Sequence, residues 1–322
     1  MSRTPTSPKP AHRFSVIGGD GRMFHLAERL AEEGYPVSLF GCGDDCLPVR
    51  DPSDRLRICA TLQKAVESAT ALILPLPSTR DGETVCCPRD PACKISMEEI
   101  DRLMERTPEL TLFGGKLPAG LTEVYPDRAV DYYENPVLQL RNAYVTAEAA
   151  LMTAMELTDR TLRDTSVAVL GYGRIGKHLA RLLHVLGADV TVCARREESL
   201  FEAAAEGCHP LLITEEVPHH GLAPLGRNHA ILFNTVPAPL LSRELLCGME
   251  RDTLFIDLAS APFGVSDGDV REATARSGLR YLRAPSLPGS YAPRDAGRII
   301  AECVLDTLSC AEAVPKEGGE SL

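Results

Sequence analysis

Basic residues are scarce in this sequence of 322 residues: 34 lysines and arginines stand against 45 aspartates and glutamates, and the formal net charge is −11. A surface of this sign repels phosphate backbones and acidic membranes, so a role on nucleic acid or at a membrane surface is not expected. Long apolar runs are absent too, because no stretch approaches the roughly 18 to 20 residues of a membrane helix. We therefore expect a soluble protein.

An export signal is also missing. Residues 1–10 are polar and proline-spotted and lack the apolar core of a secretory signal, so they predict a disordered lead-in. The small, charged tail at 315–322 is predicted to be disordered as well. The chain is expected to be cytoplasmic, with its 11 cysteines as free thiols rather than disulfides.

No metal-binding spacing is present, and we expect no metal. Adjacent cysteines followed by five spacers match no common paired zinc site, and the histidine pair has no carboxylate or cysteine pattern beside it. The residues whose type alone would suit a metal are better explained as loop thiols and solvated loop histidines: Cys42, Cys46, Cys86, Cys87, Cys93, His219 and His220.

Length and pattern predict two α/β domains. At roughly 150 residues per domain the chain is long enough for two. Two segments, beginning at Arg13 and Ser166, each show a β-rich run, a glycine turn and a helical pattern. Strands alternating with helices imply parallel sheets, so the predicted fold is two doubly wound domains, the second a Rossmann dinucleotide-binding domain.

The predicted boundaries place an N-terminal α/β domain for substrate or partner at 11–140 and the Rossmann domain at 141–292. A long linking helix is expected from Pro136 to Thr158, and a C-terminal helix at 293–314 is expected to pack back on the first domain. The Pro- and Gly-rich stretch 77–91 predicts a long loop or hairpin at the mouth of the first sheet.

The strongest motif is Gly171-Tyr-Gly-Arg-Ile-Gly176, which lies between an apolar strand and an amphipathic helix. Gly171 permits the tight turn, Gly173 lets the backbone approach a pyrophosphate, and Gly176 lets helix and strand pack closely. The anion would rest on the helix N-terminus. We predict cofactor contacts throughout this motif, which includes Tyr172, Arg174 and Ile175; the alternative is a strand-helix turn without a ligand.

The end of the following strand favours NADP over NAD. An NAD site usually has an acidic residue about 20 residues beyond the fingerprint. Ala194, Arg195 and Arg196 stand there instead, and a guanidinium can hold a 2′-phosphate in a fork. Exposed loop arginines without a ligand are the alternative explanation.

Two further strand ends are expected to face the nicotinamide, because ligands of open α/β sheets bind beyond the carboxyl ends of the strands. For Asn234 and Ser260 the alternative is turn capping, and Asp257 could equally be a cap. The predicted contacts are Asn234, Thr235, Val236, Pro237, Leu258, Ala259 and Ser260.

In the first domain, the turn formed by Gly18, Gly19 and Asp20 with nearby Arg22 could hold an anion. A structural N-cap at Asp20, with a solvated Arg22, is an equally good interpretation. On the linking helix, Thr146 and Glu148 lie where both domains could be reached, and Glu148 is either a proton-transfer group or a solvated helix charge.

Taken together, the motifs resemble those of the A-subunit family of dipicolinate synthase, from spore-forming bacteria. The resemblance covers nearly the whole chain. It rests on Ile17-Gly-Gly-Asp20 with Arg22, Leu74-Pro-Leu-Pro77, Thr146-Ala-Glu-Ala149, Val169-Leu-Gly-Tyr-Gly-Arg174, Ala194-Arg195, Asp257-Leu-Ala-Ser260 and Leu287-Pro-Gly289.

The resemblance implies an NADP-dependent oxidation of dihydrodipicolinate, or its hydrated precursor, to dipicolinate in the mother cell during sporulation. It also implies a flavoprotein B subunit that carries FMN; homo-oligomer formation is left open. Two substrate carboxylates need cationic or N–H partners. The expected substrate-binding residues are Gly18, Gly19, Arg22, Ser78, Pro288 and Gly289, and the expected catalytic residues are Glu148, Asp20 and Arg22.

Two other functions compete. A D-2-hydroxyacid dehydrogenase shares the two-domain plan, but that class has an arginine beyond the Asn234 strand end and a late catalytic histidine, and no histidine follows His229 here. A non-catalytic NADP-binding subunit that scaffolds the flavoprotein is the second alternative, since the sequence shows no evident acid-base pair.

Overall fold

The computed structural model describes residues 12–43, 55–213 and 225–313. The predicted lead-in at 1–10, the tail at 315–322, Cys46 and the pair His219 and His220 lie outside these ranges. The chain divides into two compact units, one of Met1–Arg141 with Ala292–Leu322 and one of Asn142–Tyr291. Within the described ranges, no helix is long and apolar enough to cross a membrane.

The first unit alternates strands and helices along the chain. Its elements are β1 (Phe14–Ile17), α1 (Gly21–Glu32), β2 (Val37–Phe40), β3 (Leu56–Ile58), α2 (Leu62–Val66), β4 (Ala71–Ile73), α3 (Met97–Arg106), β5 (Thr111–Gly114), α4 (Ala119–Val124) and β6 (Ala129–Asp131). The linking helix α5 (Pro136–Leu157) then leads into the second unit.

The second unit repeats the alternation. Its elements are β7 (Ser166–Leu170), α6 (Arg174–Val185), β8 (Asp189–Ala194), α7 (Glu197–Ala205), β9 (His209–Leu212), α8 (Leu225–Asn228), β10 (Ile231–Asn234), α9 (Arg243–Cys247), β11 (Leu254–Asp257), α10 (Asp267–Ser277), β12 (Arg280–Arg283) and α11 (Leu287–Tyr291). Helix α12 (Pro293–Ala313) belongs to the first unit.

Both sheets are parallel and share one strand order. It is β3-β2-β1-β4-β5-β6 in the first unit and, read from the corresponding edge, β9-β8-β7-β10-β11-β12 in the second. This is the doubly wound order, with the direction of winding reversing beside β1 and beside β7. The predicted class of two doubly wound α/β units is therefore confirmed. Their central strands are buried apart from Ser166 at the start of β7, as expected where helices cover both faces of a parallel sheet.

Sequence periodicity misses three strands, and all three lie at sheet edges. Strands β3 and β6 have only three residues each, and β9 contains Pro210, which cannot donate to a strand ladder. Edge strands are often short and tolerate proline because one side of the backbone has no partner strand. The apolar run in each of these three strands is too short to be recognised in the sequence.

An ion pair between Asp20 and Arg22 lies at the β1–α1 junction. It agrees with one part of the capping interpretation of this turn and differs from the other. Asp20 caps α1 by accepting from the backbone N–H of Arg22, as the capping alternative predicts. Arg22, however, is only 5% exposed rather than solvated. Its Nε and Nη2 donate to the two Asp20 carboxylate oxygens at 2.8 Å each, and Nη2 also donates to the Leu76 carbonyl at 2.6 Å.

Helix α12 packs along α1 at very close range. A Cβ on Gly297 would lie 2.3 Å from the Arg22 carbonyl oxygen and 2.9 Å from the Leu26 nitrogen. Only a glycine allows the two backbones this approach. Ile300 and Val304, one and two turns further along α12, are buried as well.

We expect Gly297→Ala to lower the free energy of unfolding by about 2 kcal/mol, because the new methyl group pushes α12 away from the α1 backbone. Urea denaturation measures this. Gly120→Ala is the matched control, since no atom lies within 4 Å of its added Cβ; it should be neutral or stabilise by up to about 1 kcal/mol. Equal stability of the two variants would contradict the close packing.

We expect Asp20→Asn to destabilise the protein by about 3 kcal/mol at pH 7, because it leaves the buried Arg22 charge without its partner. Burial by itself disfavours the Asp20 carboxylate, but the hydrogen bonds and charge of Arg22 outweigh burial, so the pKa of Asp20 is lowered from its ordinary value of 3.8. The wild-type advantage is therefore complete above about pH 4 and is lost as the pH falls through the folded-state pKa. Urea unfolding between pH 7 and pH 2 tests this; a stability difference independent of pH would argue against the pair.

Candidate functional site

The glycine turn after β7 is built by close contacts within the second unit. Gly171 has a φ of +93°, and a Cβ there would lie 2.5 Å from the Thr235 hydroxyl oxygen. A Cβ on Gly176 would lie 2.1 Å from the Gly171 carbonyl oxygen. These two glycines are therefore required by the fold itself, since they bring the start of α6 against the end of β7.

Gly173 differs from its two neighbours in the motif. Within the described residues, nothing lies within 4 Å of a Cβ built on it, so the protein's own packing does not require a glycine there. Gly173 is the N-cap of α6 and makes no side-chain capping bond, and Gly173 and Arg174 are exposed while Ile175 is half-buried. The first N–H groups of a 12-residue helix thus face open space, as a diphosphate requires.

Tyr172 turns its side chain into the packing between α6 and α7. It is buried, and its hydroxyl donates to a Glu206 carboxylate oxygen at 3.2 Å. Burial and the neighbouring Glu206 raise the pKa of Tyr172. The Lys177 ammonium lies 5.4 Å from the ring centroid. Tyr172 can therefore offer a ligand its backbone rather than its ring.

The end of β8 presents two cations. Ala194 is buried, whereas Arg195 and Arg196 are exposed, and neither forms an ion pair with a side chain of the described part of the chain. Arg196 is the N-cap residue of α7. Among the residues that the structure describes, both guanidinium groups are therefore available to an anion.

At the end of β10, the Asn234 side chain caps the turn that follows the strand. It is fully buried, its Nδ2 donates to the Val236 carbonyl at 3.0 Å, and its Oδ1 accepts from the Val236 N–H at 3.1 Å. The same Nδ2 donates to Asp257. The expected direct contact between this side chain and a cofactor is thus corrected, because its polar atoms are occupied within the protein. Thr235, Val236 and the exposed Pro237 form the rest of the turn.

Asp257 is the least expected part of the site. It is fully buried at the end of β11, and Asn234, Ala259, Gly264 and Tyr281 all donate to it. Leu258 and Ala259 are buried beside it, and Ser260 is exposed.

Tyr281 and Arg283 were not predicted as site residues from the sequence. The Arg283 guanidinium lies 4.0 Å from the Phe263 ring centroid and pairs with Asp267 at 2.7 Å. The alternation Tyr281-x-Arg283 places both on one face of β12, but only the pairing of β11 with β12 shows what they meet.

In the first unit, the N–H groups of the corresponding glycine turn are hydrogen-bonded to carbonyl groups of the protein. The Gly18 N–H donates to the Phe40 carbonyl and the Gly19 N–H to the Cys86 carbonyl, both at 2.7 Å. A Cβ on Gly18 would lie 2.8 Å from the Cys87 sulfur. The expectation that these two amides bind a substrate carboxylate is therefore corrected: the end of β2 accepts the Gly18 N–H, and the loop that follows β4 accepts the Gly19 N–H.

Two other expected substrate ligands of the first unit are also used internally. Arg22 is paired with Asp20 and bonded to the Leu76 carbonyl, so it is a buried structural cation and not an open anion site. Ser78 is fully buried, and its hydroxyl donates to the Pro75 and Gly115 carbonyls at 3.2 and 3.0 Å. The predicted catalytic roles of Asp20 and Arg22 lose their basis for the same reason.

Nothing in the structure changes the predicted roles of Glu148, Pro288 and Gly289. Glu148 is exposed on α5 and has no hydrogen-bond partner in the described ranges, while neighbouring Thr146 donates to the Asn142 carbonyl. Pro288 is buried and Gly289 half-buried in α11. Their roles toward a substrate stay predictions.

Thiols of the cysteine-rich loop have partners within the protein. Cys87 and Cys93 are hydrogen-bonded to each other, and burial, followed by the neighbouring Cys93, raises the pKa of Cys87 to about 12. The Cys42 thiol donates to the Gly18 carbonyl at 3.1 Å. No group of three or more metal-ligating side chains occurs among the residues that the structure describes.

Two family models match successive parts of the chain. The family model for the N-terminal domain of the dipicolinate synthase A subunit matches residues 13–135. The model described as D-isomer specific 2-hydroxyacid dehydrogenase, NAD binding domain, matches residues 137–218, which include the glycine motif. The second unit is thus an NAD-binding domain, and the chain is an NAD(P)-dependent oxidoreductase.

Individual relatives match over almost the whole length. The dipicolinate synthase A subunit of Bacillus subtilis (strain 168) is 31% identical over 318 residues, 95% of this chain and 98% of that protein. The crystal structure of the dipicolinate synthase A subunit from Bacillus halodurans is 30% identical with a TM-score of 0.75, covering 95% of this chain and 99% of that one.

A transhydrogenase from Sinorhizobium meliloti shares the fold, with a TM-score of 0.66 at 15% identity over 95% of each chain. The relatives of about 30% identity carry more weight, since a likeness at 15% identity shows the fold alone. The resemblance inferred from the motifs is thereby confirmed, and the protein belongs to the A-subunit family of dipicolinate synthase.

Proposed function

We propose that this chain oxidises dihydrodipicolinate, or its hydrated precursor, to dipicolinate with NADP as the hydride acceptor. The observation that carries the proposal is the open helix N-terminus at Gly173 in a chain of this family. We further propose that it works with a flavoprotein B subunit that carries FMN, in the cytoplasm of the mother cell of a sporulating bacterium.

The second unit supplies the residues for the dinucleotide. Free N–H groups at the start of α6 would hold the diphosphate, with Gly173 leaving room for it. The backbone at the ends of β10 and β11 would line the nicotinamide half. When bound, the nicotinamide supplies a hydride acceptor. The proposed contacts are Gly171, Tyr172, Gly173, Arg174, Ile175, Gly176, Ala194, Arg195, Arg196, Thr235, Val236, Pro237, Leu258, Ala259 and Ser260.

The preference for NADP rests on charge. Arg195 and Arg196 end β8 where an NAD site usually carries an acidic residue, and both are exposed without an ion-pair partner in the described ranges. An ionised 2′-phosphate would provide the missing partner.

The substrate side draws on fewer residues than expected, because Gly18, Gly19, Arg22 and Ser78 are engaged within the first unit. We keep Pro288 and Gly289 as substrate contacts and Glu148 as the group that accepts the proton lost on aromatisation. This exposed carboxylate lies in the second unit's part of α5 and has no hydrogen-bond partner in the described ranges, so it is available to accept a proton.

The first test measures pyridine-ring formation by ultraviolet absorbance, using the purified chain, NADP and enzymatically generated precursor, with and without a flavoprotein B subunit. We expect ring formation by wild type. Gly173→Val should change thermal stability little, since no protein atom lies within 4 Å of a Cβ built there, yet lower NADP affinity by about 10- to 100-fold.

Three results would contradict the proposal. Absence of activity in every combination, despite NADP binding, would favour the scaffold alternative. Turnover of simple 2-hydroxy acids would favour a D-2-hydroxyacid dehydrogenase, and unchanged NADP affinity in a folded Gly173→Val protein would remove the assigned diphosphate site.

The second test concerns the dinucleotide preference. Arg195→Asp should weaken NADP binding by about 10- to 100-fold and NAD binding far less, because only NADP presents a phosphate to the lost guanidinium. Isothermal titration calorimetry measures both. Arg181→Asp makes the same charge change on the exposed surface of α6 and is the control; equal losses for the two dinucleotides in Arg195→Asp would place the preference elsewhere.

A further inference from the structure

The carboxylate of Asp257 joins three neighbouring strands of the second unit. Oδ1 accepts from Asn234 Nδ2 at 2.9 Å and from the Ala259 N–H at 3.2 Å. Oδ2 accepts from the Gly264 N–H at 3.0 Å and from the Tyr281 hydroxyl at 3.1 Å. These partners belong to β10, to the loop after β11 and to β12.

All four partners donate in this arrangement, and only the Tyr281 hydroxyl could also accept. The Asn234 amide is oriented by Val236, whose N–H donates to Oδ1 and whose carbonyl accepts from Nδ2. Two other donors are backbone N–H groups. Burial raises the pKa of Tyr281 to about 12, so its hydroxyl keeps its proton, and Arg283 Nε donates to that oxygen at 3.4 Å. Both oxygens of Asp257 therefore act as acceptors.

Two loops depend on these contacts. The turn 234–236 after β10 is held through the Asn234 amide, and the loop 259–264 after β11 is held at both of its ends. Gly264 completes the fit, because a Cβ there would lie 2.1 Å from Asn234 Nδ2. Both loops lie at the carboxyl ends of the strands, where the proposed function places the nicotinamide half of the cofactor.

The far side of the second loop is held by Arg283. Its guanidinium lies over the Phe263 ring at 4.0 Å and donates to the Val265 carbonyl at 3.3 Å. Phe263 has a φ of +67°, a left-handed conformation that a bulky residue rarely adopts. Such a conformation persists where the surrounding contacts determine it.

We propose that Asp257 is a positioning residue for the dinucleotide: its carboxylate holds the 234–236 turn and the 259–264 loop in the arrangement that binds the nicotinamide half. This inference rests on the proposed function, since it assumes that a dinucleotide binds at these strand ends. Asp257 itself is fully buried beneath the loops and acts through them.

Asparagine cannot replace this carboxylate. Whichever way its amide lies, the NH2 group faces either Ala259 and Asn234 or Gly264 and Tyr281. Tyr281 could reverse its hydroxyl and accept, but the Ala259 or Gly264 N–H would lose its acceptor. A buried backbone N–H without an acceptor is unfavourable, so one loop must move.

The experiment combines dinucleotide binding with hydrogen exchange. We expect Asp257→Asn to raise the Kd for NADP about 10- to 100-fold by calorimetry and to raise KM for NADP with a smaller effect on kcat at saturation. In the free protein, amide exchange should become faster at 234–236 and 259–264 and stay unchanged near Arg195. Asp252→Asn, in the exposed turn two residues before the start of the same strand, is the charge-matched control and should match wild type in both measurements.

Two further variants keep the inference falsifiable. Tyr281→Phe removes one donor but leaves both backbone contacts of Asp257, so it should raise the Kd less than Asp257→Asn. If Asp257→Asn does not fold, Gly264→Ala tests the same contacts without changing a charge, because its methyl group would displace the Asn234 amide from Asp257.

The outcomes separate this inference from the proposed function. A folded Asp257→Asn protein with wild-type NADP affinity overturns the inference, and so does weakened binding with unchanged loop exchange. If wild type bound no dinucleotide, the proposed function would fail first, and exchange in the free protein would still show whether Asp257 holds the two loops.

Discussion

The close approach between the start of α6 and the end of β7 governs the chemistry available to the second unit. A Cβ on Gly176 would lie 2.1 Å from the Gly171 carbonyl oxygen, so the helix reaches the strand only because both residues are glycines. This approach brings the free N–H groups of the helix to the place where the sheet reverses its winding. Gly173 then leaves that place open, whereas any larger residue would project into it.

The two units share a strand order but use its reversal point differently. In the second unit the glycine turn faces open space. In the first unit the corresponding turn is covered: Cys86 accepts the Gly19 N–H, Cys87 packs on Gly18, and the neighbouring Arg22 is neutralised by Asp20. A parallel sheet therefore provides a potential ligand site at its reversal point, but the loops decide whether the site is open. Of the two described turns, only that of the second unit retains an open helix N-terminus at that point.

Buried polar groups organise the loops at the strand ends of the second unit. Asp257 carries a full set of donors, and Arg283 is shared between an ion pair, a carbonyl and an aromatic ring. A buried carboxylate is costly unless its oxygens are hydrogen-bonded, so such a residue specifies one loop arrangement. The resulting rigidity suits a surface that must meet a planar ring in one orientation.

Local patterns in the sequence were enough to identify the alternation of strands and helices, the glycine motif after β7 and the family, because each depends on neighbouring residues. The edge strands β3, β6 and β9 were not predicted, because a short strand with only one neighbouring strand needs few apolar residues. The burial of Arg22 and the roles of Ser78 and Asp257 were decided by tertiary structure. Their partners, Leu76, Gly115 and Tyr281, are distant in sequence, and a polar side chain becomes a ligand, a cap or a buried support according to which donors and acceptors the fold brings within hydrogen-bonding distance.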